Sequence, residues 1–168
     1  GDGLPPVPQG ALRLRIVGPN GWTDLRGATI CELVDPAARD AVVARLGPDP
    51  LRRAAKADAA FERINRSKTS IAALLMDQSV VSGIGNVYRA EMLYRQRLNP
   101  HTPGRDVPED VVRALWHDWV RLLAIGVETG QMMTMDDLSP EQYRAAMASR
   151  DDRHWVYHRA GLPCRVCG

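Results

Sequence analysis

Apolar and polar positions change rhythm along this chain of 168 residues. Residues 11–17, Ala-Leu-Arg-Leu-Arg-Ile-Val, alternate apolar and basic side chains, the pattern of a half-buried strand. Gly18-Pro19-Asn20-Gly21 then marks a turn. Residues 22–25 and 28–34 predict two further strands, with Cys31 buried in the second. Three strands are too few to close a sandwich or barrel, so this stretch reads as the tail of a larger β domain. Asp35 as N-cap and Pro36 at the first helical position open a helix expected to run to about Leu46, with Gly47 ending it.

After the break at Pro48-Asp49-Pro50 the apolar period becomes helical. It predicts helices over 55–65, 69–77, 86–97, 108–129 and 140–148. In the fourth of these, Val111, Val112, Leu115, Trp119, Leu122 and Leu123 form one apolar stripe, a core-facing surface. Ser139-Pro140-Glu141-Gln142 has the form of a capping box with proline in the first turn. Alternation returns at 155–159, Trp-Val-Tyr-His-Arg, which predicts a last strand. Ala160-Gly161-Leu162-Pro163 then turns into Cys164-Arg165-Val166-Cys167-Gly168. The fold class expected is mainly α with a partial β element, organised as 1–50, 51–152 and 153–168.

Charge sharpens the picture. The net charge of +2 is bland. Residues 52–97, however, carry nine Arg/Lys against four Asp/Glu, whereas 106–152 carry four against ten. A basic block beside an acidic one fits a one-sided footprint for an anionic polymer, or two solvated helix faces. No apolar run approaches the roughly 20 residues of a membrane span, and no basic-then-apolar leader opens the chain. The first residues, Gly1-Asp2-Gly3-Leu4-Pro5-Pro6, lack an initiator Met, so the chain is expected to begin inside a longer protein.

Three cysteines do not make a disulfide framework, and a Cys-x-x-Cys suits a reducing compartment. Cys164 and Cys167 have the spacing with which zinc ribbons open. A four-cysteine site needs a second pair about fifteen to twenty residues later. The residues present supply half a site, so the chain is expected to end inside the finger.

The most informative stretch is Leu75-Met76-Asp77-Gln78-Ser79-Val80-Val81-Ser82-Gly83-Ile84-Gly85-Asn86-Val87-Tyr88-Arg89-Ala90-Glu91. An apolar helical run breaks at Gly-Ile-Gly-Asn and a new helix begins. The glycines allow a sharp turn and a close approach, and the fresh helix N-terminus presents unpaired N–H groups to an anion such as phosphate. With no metal-binding carboxylates nearby, a nucleic-acid backbone fits better than a nucleotide.

Asp77 to Tyr88, together with Glu91 and Leu98-Asn99-Pro100, resembles the signature of the formamidopyrimidine-DNA glycosylase and endonuclease VIII (Fpg/Nei) family. Tyr157 to Gly168 is similar to the opening of that family's C-terminal zinc finger. Asp24-Leu25-Arg26-Gly27 and Leu46-Gly47-Pro48-Asp49-Pro50-Leu51 look most like actinobacterial endonuclease VIII proteins. The resemblance implies the end of an N-terminal β-sandwich, a helix–two-turns–helix domain and the start of a β-hairpin zinc finger. It also implies a cytoplasmic, nucleoid-associated monomer that removes oxidised bases from damaged DNA as a bifunctional glycosylase and AP lyase. In that chemistry an N-terminal proline amine forms a Schiff base with the sugar, and a following glutamate serves as acid and base. This chain carries no Pro-Glu start, so no catalytic residue is assigned in it, and the chain alone is expected to be inactive.

The resemblance also assigns binding residues. Asn86 falls on the family's phosphate-binding asparagine, a position that would equally serve as an N-cap. Gly83 and Gly85 supply the turn and a backbone N–H. Lys68 matches a basic position just before the first helix of the motif, Tyr157 a tyrosine near backbone phosphates, and Arg26 the family's arginine on the strand opposite the lesion. Cys164 and Cys167 become zinc ligands, and Glu91 a structural brace for the turn. His101, His117, His154 and His158 lack metal spacing and receive no chemistry. Two other readings compete: a non-catalytic DNA-binding module, and a Cys-x-x-Cys redox protein, which would want the motif at the start of a βαβ unit.

Overall fold

The computed structural model describes residues 4–168 and divides into two units, the second running from Arg45 to Gly168. The first contains an antiparallel hairpin, β1 (Leu12–Gly18) and β2 (Gly21–Arg26), which pairs Leu14 with Leu25, Arg15 with Asp24 and Val17 with Trp22. Arg15 Nε and Asp24 Oδ1 meet at 2.7 Å across the ladder, and the Arg15 guanidinium also lies 5.3 Å from the Trp22 ring centre. The hydrogen bonds from Arg15 and Arg26 hold the Asp24 carboxyl down to about 2.

The third strand expected over 28–34 does not form: these residues are coil, and Cys31 is exposed rather than buried. A strand needs a neighbour for its N–H and C=O groups, and among the described residues none pairs with this segment. The hairpin leaves Leu14, Ile16, Val17 and Leu25 exposed, as a two-stranded ribbon must. Helix α1 (Pro36–Ala44) starts at its expected cap, with Ala38 N donating to Asp35 Oδ1 at 2.8 Å.

The second unit holds α2 (Ala57–Asn65), α3 (Ile71–Leu74), α4 (Asn86–Arg95), α5 (Glu109–Thr129) and α6 (Pro140–Ala148). The α5 stripe is buried as the periodicity requires, except that Val111 is only partly covered and Trp116 joins it. Trp116 packs edge-on against both Phe61 of α2 (6.0 Å) and Trp119 (6.4 Å). Around them close Ile64, Ile71, Leu75, Val81, Ile84 and Met92, each at most 2% exposed. The capping box of α6 is present in both directions, Gln142 N to Ser139 Oγ (3.2 Å) and Ser139 N to Gln142 Oε1 (2.8 Å). The helix expected over 69–77 shrinks to the single turn of α3, because the chain must next make the turns that deliver α4. No described helix is long and apolar enough to cross a membrane.

Candidate nucleic-acid interface

The loop between α3 and α4 is shaped by its own side chains. Asp77 Oδ1 accepts from Ser79 N at 2.8 Å. Gln78 then clamps the glycine turn from both sides: its Nε2 donates to Ile84 O (2.8 Å), and its Oε1 accepts from Gly83 N (2.9 Å). Gly83 takes φ +89, a region open to glycine at little cost. The segment before α2 laces onto this loop. Gly47 N donates to Gln78 O (2.8 Å), Ser82 N to Pro48 O (3.0 Å) and Ser82 Oγ to Gly47 O (3.0 Å).

Gly85 and Asn86 stand exposed at the start of α4. The first intrahelical bond is Arg89 N to Gly85 O (2.9 Å), so the N–H groups of the first turn have no partner within the helix. Arg89 Nη2 donates to Asn86 Oδ1. An arginine can only donate, so this contact orients the amide oxygen toward Arg89 and leaves the Asn86 NH2 for an external acceptor. The N-cap position itself falls to Gly85, and Asn86 is the first helical residue. Of the two glycines expected to supply a backbone N–H, Gly83 has already given its own to Gln78.

Glu91 is one helical turn further on and fully buried (0% exposed). It does not brace the glycine turn. Its Oε2 accepts from Thr134 Oγ1 (2.6 Å) and Trp155 N (2.7 Å), and its Oε1 from Val156 N and Tyr157 N (both 2.8 Å). This overturns the strand expected over 155–159, which is instead a run of turns. Successive N–H groups of a strand point to opposite sides, whereas three in a row directed at one carboxylate require a curled backbone. His158 follows with φ 57. Tyr157 is thereby fixed to α4. It shares a cavity of about 300 Å³ with Val87, Arg153 and His154. The His154 Nε2 and Arg153 Nε atoms are buried without a partner. Burial pulls the His154 imidazole below its ordinary value, with Glu91 opposing the shift and Arg153 adding to it.

A second polar cluster secures the far end of α4. Arg95 bonds Asp118 of α5 (Nε–Oδ2 3.0 Å), Asp136 (2.7 Å) and Thr134 O (2.9 Å). Burial works against the Arg95 charge, but hydrogen bonds to both carboxylates outweigh it and raise its pKa.

The remaining assigned residues are dispersed. Lys68 is exposed between α2 and α3, on a segment anchored by Arg105 N to Ser67 O and Gly104 N to Thr69 O (both 2.9 Å). Arg26 lies in the first unit, bonded to Asp24 (2.6 Å) and to Gln9 O. Cys164 and Cys167 are exposed thiols. N–H donors from Val166 and Cys167 hold the Cys164 thiol below its ordinary value, and Cys164 in turn raises Cys167. Two thiolates are half of a closed tetrahedral zinc site, and among the described residues no group of three His, Cys, Asp or Glu is placed to hold a metal. The sequence pattern gave Arg89 and His154 no role and misplaced the partner of Glu91. A glutamate on the apolar side of α4, a turn before Arg95, was the one available signal.

Comparison with known proteins places this architecture. The profile of the Formamidopyrimidine-DNA glycosylase H2TH domain matches residues 46–137. The chain belongs to the Fpg/Nei family. It is 47% identical over 169 aligned positions to Endonuclease 8 1 of Mycobacterium tuberculosis, covering 99% of this chain and 62% of that protein. With the Formamidopyrimidine-DNA glycosylase of Thermus thermophilus it shares 40% identity over 124 residues, 74% of this chain and 46% of the relative. The crystal structure of the Thermus thermophilus MutM (Fpg) protein superposes with a TM-score of 0.60 at 31% identity, over 88% of this chain and 53% of that one. The Lactococcus lactis Fpg in complex with abasic-site DNA has the same fold at 18% identity, with a TM-score of 0.66 over 99% of this chain and 62% of that one. This chain therefore spans about 62% of the length of the mycobacterial relative.

Proposed function

We propose that this Fpg/Nei chain is the DNA-docking part of a base-excision repair enzyme, a glycosylase and AP lyase that removes oxidised bases from damaged DNA. The observation that carries the reading is the start of α4. There an exposed asparagine has its carbonyl pinned by Arg89, beside helix N–H groups with no intrahelical acceptor. A phosphate oxygen accepts from such donors whatever the base sequence, which suits an enzyme that must search DNA before it finds a lesion. Lys68 and Tyr157 extend the contact along the backbone, and Arg26 reaches the strand opposite the lesion. The domain assignment is 1–50 as the end of a β-sandwich, 51–152 as the helix–two-turns–helix domain and 153–168 as half a zinc finger. Cys164 and Cys167 would hold a structural zinc ion together with two further ligands, and the ion would stiffen the finger.

Catalysis in this reading belongs to an N-terminal proline outside these residues. Its amine attacks C1′ of the sugar, the base departs, and the iminium makes the C2′ proton removable. The protein acts as a monomer in the cytoplasm, associated with the nucleoid.

Borohydride trapping on an abasic-site duplex, run beside a gel shift, tests the assignment. The expected result for this chain is binding without a covalent adduct. An adduct would place a reactive amine within these residues, and absence of any binding would remove the docking role.

A further inference from the structure

Glu91 draws four neutral donors to one carboxylate: the Thr134 hydroxyl and the amides of Trp155, Val156 and Tyr157, at 2.6 to 2.8 Å. The partners lie up to 66 residues away along the chain. Burying a carboxylate is costly, and apolar contact would hold two elements together without that penalty. What a carboxylate adds is direction. Three successive amides can satisfy it in one curled conformation, and that conformation fixes where the Tyr157 side chain leaves the backbone. Val87, the residue after Asn86, lines the same cavity as Tyr157. The first turn of α4 and the 155–157 turn are thus two walls of one feature, and Glu91 is the bond between them. Trp155 adds a ring contact to Tyr94 of α4 at 5.9 Å, on the same helix.

We propose that Glu91 is a positioning residue for DNA binding, holding the 155–157 turn against α4 so that Asn86 and Tyr157 reach one phosphate backbone together. This rests on the DNA-docking reading above. Glu91 touches no DNA itself. It acts by setting the spacing of two contacts, each of which is weaker when it must be ordered on binding.

The test uses this whole chain with Glu91→Gln, a near-isosteric change that turns an NH2 donor toward amide N–H groups. Affinity for a fluorescein-labelled abasic-site duplex is measured by anisotropy across a salt series, and 1H–15N spectra follow the amides of 155–157. The expected result is affinity lower by about tenfold, the loss of one charge-assisted contact. The three amide resonances should move while those of α5 stay in place. In a Tyr157→Ala background Glu91→Gln should change affinity by less than about twofold, because the contact it positions is already gone. Thr134→Val removes one donor without freeing the turn, and should lower stability while leaving affinity near that of the unsubstituted chain. Unchanged affinity in Glu91→Gln with displaced amides would overturn the proposal. So would undisplaced amides, or an equal loss of affinity in Thr134→Val, which would mean that binding tracks stability. Failure of the unsubstituted chain to bind would overturn the docking reading itself, and the proposal with it.

Discussion

Gly47 lies directly on the backbone of Val80: a Cβ at position 47 would stand 2.5 Å from both the carbonyl carbon and the carbonyl oxygen of Val80. Gly47 N also donates to Gln78 O at 2.8 Å, so the close approach is part of how the 47–48 segment is fastened to the α3–α4 loop. Backbone cannot swing aside as a flexible side chain can. Gly47→Ala should therefore destabilise the second unit by about 2–3 kcal/mol, the cost of overpacking a site that cannot relax. Urea unfolding at fixed pH measures this, and a midpoint equal to that of the unsubstituted chain would mean the loop gives way.

Asn86→Ala should weaken binding to lesion-containing and undamaged duplexes by a similar factor, because a phosphate contact carries little sequence information. Affinity should also fall steeply with salt, as counterion release requires. Anisotropy titrations with both duplexes give the two factors; full retention of affinity would argue against the phosphate role.

Arg95→Met leaves Asp118 and Asp136 with Arg121 as their remaining shared cation, next to a core where Asp118 is only 14% exposed at the side chain. Removing one member of such a buried network costs about 3–5 kcal/mol. Arg121, bonded to Asp118 at 3.1 Å, should recover part of it. Thermal unfolding should place Arg95→Met well below Arg121→Met. Equal melting temperatures would show that the two arginines hold the network equally, against the leading role of Arg95.

His154 predicts a pH dependence of stability. Its folded-state pKa lies below the ordinary 6.5 because burial disfavours the imidazolium. Between the two values the unfolded chain binds more protons than the folded one, so stability rises with pH there. The contribution is complete above about 6.5 and is lost as pH falls toward the folded value. Burial pushes Asp118 up, but hydrogen bonds from Arg95 and Arg121 outweigh it and hold this carboxyl below its ordinary value, so it acts only at lower pH. Urea midpoints should decline from about pH 7 to about pH 5 in the unsubstituted chain and decline less in His154→Gln. Parallel declines in the two proteins would assign the effect to another group.

Local signals carried most of the helices. The Ser139 capping box, the Asp35 cap, the α5 stripe and the glycine pair before Asn86 all act within a few residues, and each stands where the sequence put it. The alternating residues 155–159 and the apolar run 28–34 failed for one shared reason. A β-ladder needs a second segment to pair with, and alternation says only that a segment could enter one.

Neighbouring residues along the chain are enough to identify the family, the spans of the longer helices, and the glycine turn from which α4 begins at Asn86. The tertiary structure alone decided that Gln78 closes the glycine turn, that Arg89 sets the Asn86 amide, and that Glu91 receives three amides from a segment more than sixty residues away. Helix periodicity and capping are satisfied by near neighbours and can be read along the chain. The partner of a buried carboxylate is whichever donor the fold brings within about 3 Å, and that is settled only when the chain has closed on itself.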